Sequence, residues 1–146
     1  MFPRWHIFLG VVFTFVIWIL VPNIQWYALV LIFFSSFLID FDHYVTAVAK
    51  TKNWNLKNAF EYNVRLIQNQ EKEVSKGIKK KGDFYFFHTV EFHALIGIIS
   101  LLFKPFFFIF IGMVFHSILD VISMSYDRQL HTREFFFFNW LRKKIT

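Results

Sequence analysis

The sequence predicts an all-α integral membrane protein with four transmembrane helices in two hairpins, joined by a cytoplasmic loop that carries an amphipathic helix and a basic stretch. Three observations lead there. The 35 residues Trp5–Ile39 contain no Asp, Glu, Lys or Arg. A second apolar stretch runs from Phe84 to Met124, broken at Lys104-Pro105. Hydrophobic residues make up 56% of the chain and charged ones 18%, where soluble domains sit nearer ~25% charged. At 146 residues the chain suits one domain, and a hairpin of such helices is more than that core could hide.

Each element follows in order. Pro22-Asn23 divides the first stretch, which predicts helices over about 5–21 and 24–42. Segments of this length rise roughly 25 Å, at the short end of what crosses a bilayer. The first also resembles a signal peptide, but no small-x-small cleavage site follows, and a retained helix is expected. The second pair is predicted over about 84–103 and 105–125. Between the hairpins lies the polar segment 44–87, in which Phe60, Val64 and Ile67 fall at helical spacing behind an Asn55 cap. That pattern predicts an amphipathic helix lying on the membrane. Ser75–Gly82, with Lys76, Lys79, Lys80 and Lys81, reads as a mobile basic loop, and 126–146 as a basic tail with a solvated His131.

The net charge of +6 invites a nucleic-acid reading, but its location argues otherwise. Fifteen of the 16 basic residues fall in the central loop, the tail and Arg4, all on one side of the predicted membrane. The positive-inside rule makes that side cytoplasmic, with both termini. The charge is then topological, and no nucleic-acid partner is expected. The absence of Cys excludes disulfides, thiolate zinc sites and Cys nucleophiles. Any metal must be held by nitrogen and oxygen.

Ionisable groups inside membrane segments are rare and mark function. Here they are His6 opening the first helix, Asp40, Asp42 and His43 closing the second, His88, Glu91 and His93 opening the third, and His116 with Asp120 late in the fourth. With the topology above, all nine lie near the cytoplasmic depth. His116 and Asp120 are spaced i,i+4, and Asp40 and His43 i,i+3, so each pair shares a helix face. Asp42 turns away unless the last turn frays. His88 and His93 are five apart, which places His88 on the loop entering the third helix. Imidazole with carboxylate suits Zn, with Mn or Fe as alternatives, better than Ca or Mg.

Four motifs carry a resemblance. "FSSFLIDFDHY" is similar to the "LLPDIDH" segment of the membrane-bound metal-dependent hydrolases known as YdjM-like proteins, a family whose activity is itself inferred. "FHTVEFHAL" resembles their "HRGxTHSL" segment, "IGMVFHSILDVIS" their "GxxSHxLxDxxT" segment, and "RWHIFLG" their N-terminal His motif. The resemblance implies His6, Asp40, Asp42, His43, His88, His93, His116 and Asp120 as metal ligands. The family's Arg-Gly is replaced by Thr89-Val90, which removes a guanidinium able to grip phosphate bidentately. Glu91 stands nearby as a candidate general base.

The expected function is therefore metal-dependent hydrolysis at the cytoplasmic membrane interface, with a membrane lipid or another amphiphilic ester or phosphoester as substrate and Glu91 as base. One alternative is a metal that only pins the helices together. The other is a transporter of metal or protons, which needs polar groups continuing outward. The outer halves of the helices are apolar apart from Thr14, Ser100 and similar residues.

Overall fold

A computed structural model of the protein describes residues 3–145. Among these residues the chain is helical, with no strand. Seven α-helices follow in order: α1 (Pro3–Leu20), α2 (Trp26–Leu38), α3 (Phe41–Thr51), α4 (Leu56–Ser75), α5 (Val90–Leu102), α6 (Lys104–Tyr126) and α7 (Phe137–Ile145). α6 lies against α2 and α5, and α1 packs on α2.

The helix boundaries are set by ordinary chemistry. Pro22-Asn23 sits in the turn between α1 and α2, and Pro105 falls in the first turn of α6, where its missing N–H costs nothing. Thr89 caps α5 by accepting from the Phe92 N–H. Asn55 caps α4, its side chain accepting from the Lys57 N–H at 2.9 Å, in keeping with the spacing at that point. Lys52 closes α3 in the left-handed region, with φ of 56°, a conformation more usual for Gly or Asn.

Two expected boundaries move. The second helix does not end at 42. It pauses in a turn at Ile39-Asp40 and continues as α3, so that Trp26–Thr51 forms one apolar 26-residue stretch. The third helix starts at Val90 rather than 84, after a 3₁₀ turn over Phe86–His88, and His88 lies on the entering loop as its spacing requires. Two stretches, Trp26–Thr51 and α6, are long and apolar enough to cross a membrane. α5, at 13 residues, rises only about 20 Å, short of a ~30 Å hydrocarbon core.

α2 and α6 approach closely through small residues. A Cβ on Gly112 would collide with the Ile32 carbonyl and the Ser35 hydroxyl, and one on Gly10 with the Ser36 hydroxyl. Such contacts bring apolar helices together where burial of oil against oil gives little drive. Ala28, Ile32 and Phe108 form one core against Phe13 and Tyr27. Ile39, Ile96 and Met113 form another beneath Phe87 and Phe92. The outward faces carry large apolar side chains in the open, among them Phe8, Phe15, Trp18, Ile98, Leu101, Ile118 and Ile122.

Nor is the basic loop a free one. Lys81 Nζ donates to the Arg133 carbonyl at 2.8 Å, and the Gly82 N–H donates to the Thr132 carbonyl at 2.7 Å. The tail folds back accordingly. Its α7 lies by the loop through Phe84 stacked on Trp140, with ring centroids 4.1 Å apart. His131 is half-buried rather than solvated, with a buried Nε2.

Gly112→Ala should therefore destabilise the protein by about 1–3 kcal/mol, the usual cost of overpacking, while Gly97→Ala, whose Cβ meets only the edge of Phe110 at ordinary contact distance, should not. Thermal unfolding of the two variants in one detergent checks this; equal midpoints would remove the close α2–α6 approach.

Candidate metal centre

Six ionisable side chains meet where α1, the α2–α3 turn, the loop before α5 and the second half of α6 converge. His6 comes from the start of α1, Asp40 from the turn, His43 from the first turn of α3, His88 from the 3₁₀ turn, and His116 and Asp120 from α6. They form three overlapping triads, His6/Asp40/His116, Asp40/His43/His88 and His88/His116/Asp120, each with ligand atoms within 4.8 Å of one another. His6, His88, His116 and Asp120 are buried.

The hydrogen bonds around two of these rings orient them. His88 Nδ1 lies 3.0 Å from Asp42 Oδ2, a carboxylate oxygen that also accepts from the Phe87 N–H. His116 Nδ1 lies 2.9 Å from the Ser36 carbonyl, which can only accept. Each Nδ1 is therefore placed to donate, and a ring that is neutral then has its lone pair on Nε2. The two Nε2 atoms face each other at 3.2 Å. Asp40 Oδ1 stands 3.5 and 3.4 Å from them, and Asp120 Oδ2 3.7 Å from both. With both rings neutral, two nitrogen and two carboxylate acceptors converge here, an arrangement that a proton on one ring or a bound cation relieves. A divalent ion fits this donor set of imidazole nitrogen and carboxylate oxygen.

The remaining members complete the ring. His6 Nε2 lies 3.2 Å from Asp120 Oδ1, and its ring stacks on His116 at 4.0 Å. His43 Nε2 lies 3.5 Å from Asp40 Oδ1, with its ring stacked on Tyr85 at 3.8 Å.

Three sequence-derived site residues stand elsewhere. Asp42 belongs to none of the triads. Its Oδ2 accepts from His88 Nδ1 and from the Phe87 N–H at 2.9 Å, which orients a ligand instead of supplying one. Because α3 continues as helix, Asp42 projects from another face than Asp40, toward the loop that brings His88. His93 also lies outside the triads, with Nδ1 on the Thr89 carbonyl at 2.9 Å and Nε2 on the Ser117 hydroxyl at 2.8 Å. Glu91 does not face the cluster as a base. Its two oxygens accept from the Phe137 and Phe138 N–H groups at 2.9 and 3.2 Å. The start of α7 leaves backbone donors without intrahelical partners, and a carboxylate satisfies them best.

Arg133 is the residue that the sequence did not disclose. It leaves the folded-back tail and places Nη1 2.6 Å from Asp120 Oδ2, with its guanidinium 5.7 Å from the centre of the Tyr85 ring. Its side chain is 11% exposed. No periodicity links it to Asp120, since a helix end and a 3₁₀ turn intervene. Its only signal is a lone Arg between polar residues and the Phe135–Phe138 run.

Asp40, His43, Asp120 and Arg133 open into a cavity of about 300 Å³ whose far wall is the apolar face of α4, with Leu56, Phe60, Val64 and Ile67. α4 is held there by Tyr62, whose hydroxyl donates to Asp83 Oδ2 at 2.6 Å. Burial and that carboxylate push the Tyr62 phenol up to about 12.

Asp42→Ala should lower metal affinity about 10- to 100-fold, the usual effect of losing a partner that orients a ligating His. Glu91→Ala should leave affinity unchanged and cost about 1 kcal/mol as a lost helix cap. Competition with a chelating dye and thermal melts of both variants test the pair. Asp42→Ala binding as tightly as the parent contradicts the assignment of His88.

Compared with known proteins, the chain matches no family model, no curated protein and no solved structure.

Proposed function

We propose that the protein is a membrane-bound, metal-dependent hydrolase whose site opens at the cytoplasmic interface. The observation that carries the reading is the convergence of His88 and His116, with Nε2 atoms 3.2 Å apart and flanked by Asp40 and Asp120. The motif likeness to the YdjM-like proteins supports the same conclusion, because six of its eight implied ligands lie in the triads. Membrane association accords with the two long apolar stretches, the open apolar faces of α1, α5 and α6 and the charge-free run Trp5–Ile39. In this proposal α1 and α5 are two further, short spans of a multi-pass cell-membrane protein, and the basic asymmetry argues for cytoplasmic termini. Zn suits the donor set, with Mn and Fe as alternatives.

A bound divalent ion supplies Lewis acidity toward the ester oxygen and lowers the pKa of water toward 7. The chain's own residues do the rest. Only Asp40, His43 and Asp120 of the cluster line the cavity, so a substrate meets these three first. His43 is the most open of the six, with its side chain 26% exposed. In this reading His43 stays outside the ligand set, and its Nε2, 3.5 Å from Asp40 Oδ1, takes the proton from the attacking water, since Glu91 caps α7. Water then adds across the ester bond and releases an acid and an alcohol. The buried His6, His88 and His116 hold position and exclude solvent from the inner side.

Purified protein should turn over a long-chain carboxylic or phosphoric ester, lose that activity to a chelator and recover it on adding Zn, Mn or Fe. His43→Ala should lower kcat about 10²-fold or more, as removal of a general base does. Ester turnover measured with and without metal decides the matter. Stoichiometric metal with no turnover of either ester class would leave only a structural role for the ion.

A further inference from the structure

The cavity beneath α4 has two unlike ends. One wall is a helix face that exposes Leu56 and Phe60 at its edge and continues through Val64 and Ile67 to Gln70. That span corresponds to about 20 Å of helix, the reach of a long alkyl chain. At the other end stands Arg133, fixed by Asp120 at one nitrogen and backed by Tyr85. A guanidinium has five N–H donors in a planar fork, and the Asp120 contact uses Nη1 alone, which leaves the rest of the fork for a ligand.

The carboxylates along the same cavity are already matched. Asp120 faces Arg133 and His6. Asp83 accepts from Tyr62 and lies 3.5 Å from Lys50 Nζ. Asp40 belongs to the triads. The other polar lining, Asn63, Gln70, Gln129 and Thr132, is neutral. The Asp120 contact occupies Nη1 of Arg133, and an anion beside the candidate metal meets the other donors of that fork.

Building on the hydrolase reading, we propose that this cavity binds an amphiphilic phosphate ester, with Arg133 gripping the phosphate and the α4 face holding the alkyl chain. Arg133 is a binding residue for the head group, and its planar fork matches phosphate oxygens in a way that a lysine does not.

The test is a ³¹P NMR titration of zinc-loaded protein in dodecyl maltoside micelles, with monododecyl phosphate and inorganic phosphate as probes and dodecanol as competitor. Bound metal is measured on the same samples. Monododecyl phosphate should bind saturably, one per chain, and more tightly than inorganic phosphate. Arg133→Gln should weaken it at least tenfold and Arg133→Lys by less. Phe60→Glu should weaken monododecyl phosphate while leaving inorganic phosphate unchanged, because that residue lies on the wall away from the head group. Dodecanol should not displace inorganic phosphate from Arg133. Metal-bearing protein that takes up no monododecyl phosphate, or takes it up equally in Arg133→Gln, overturns this inference and leaves the hydrolase reading standing. Arg133-dependent binding in protein that holds no metal upholds the cavity assignment and overturns the hydrolase reading. Equal affinity for monododecyl and inorganic phosphate removes the alkyl seat and the inference with it.

Discussion

Two imidazole Nε2 atoms held 3.2 Å apart in the interior between two carboxylates constrain everything around them. Their rings are oriented from behind, by Asp42 on one ring and the Ser36 carbonyl on the other. Asp40 and Asp120 add negative charge to the same point. With both rings neutral the arrangement is repulsive, and a bound cation turns it into a set of charge-assisted contacts that join segments distant in sequence. The fold serves that point. The Ile39-Asp40 turn aims Asp40 inward, Gly112 lets α6 approach α2 closely enough for His116 to reach Ser36, and the 3₁₀ turn carries His88 into place.

The same geometry divides labour between buried and open residues. His6, His88 and His116 are sealed within the helices, while Asp40, His43 and Asp120 reach the cavity. The proposed hydrolase would need both: a rigid inner set that holds position, and an outer set that a substrate can meet. α4 encloses the outer side with an apolar face. The tail completes it, since Arg133 enters only because 132–134 is fastened to the loop at Lys81-Gly82.

Much of this was legible in the sequence, and the exceptions have physical causes. The i,i+4 pair His116/Asp120 and the i,i+3 pair Asp40/His43 could be read because helix periodicity fixes which side chains share a face. His88 could be placed on a loop by its spacing from His93. The extent of α2 could not, because Asp40 and Asp42 look like a helix end when the Ile39-Asp40 turn in fact leads the chain on into α3. Glu91 looks like a base in the sequence because the carboxylate's partners, the N–H groups of Phe137 and Phe138, belong to a tail helix 46 residues away. Arg133 was missed for the same reason: tertiary return of a polar tail leaves no periodic trace. Asp42 and His93 fit the motif pattern, yet one orients a ligand and the other is bonded at both ring nitrogens.

X-ray absorption of the purified protein at the edge of whichever metal it carries tests the central claim most directly. The account predicts an ion present at one or two per chain, with a first shell of mixed nitrogen and oxygen at about 2.0–2.2 Å and the outer-shell scattering of at least two imidazole rings. Loss of that imidazole signal in His116→Ala would place the ion between His88 and His116. A protein free of metal after purification and reloading, or one whose ion shows an all-oxygen shell, would contradict it.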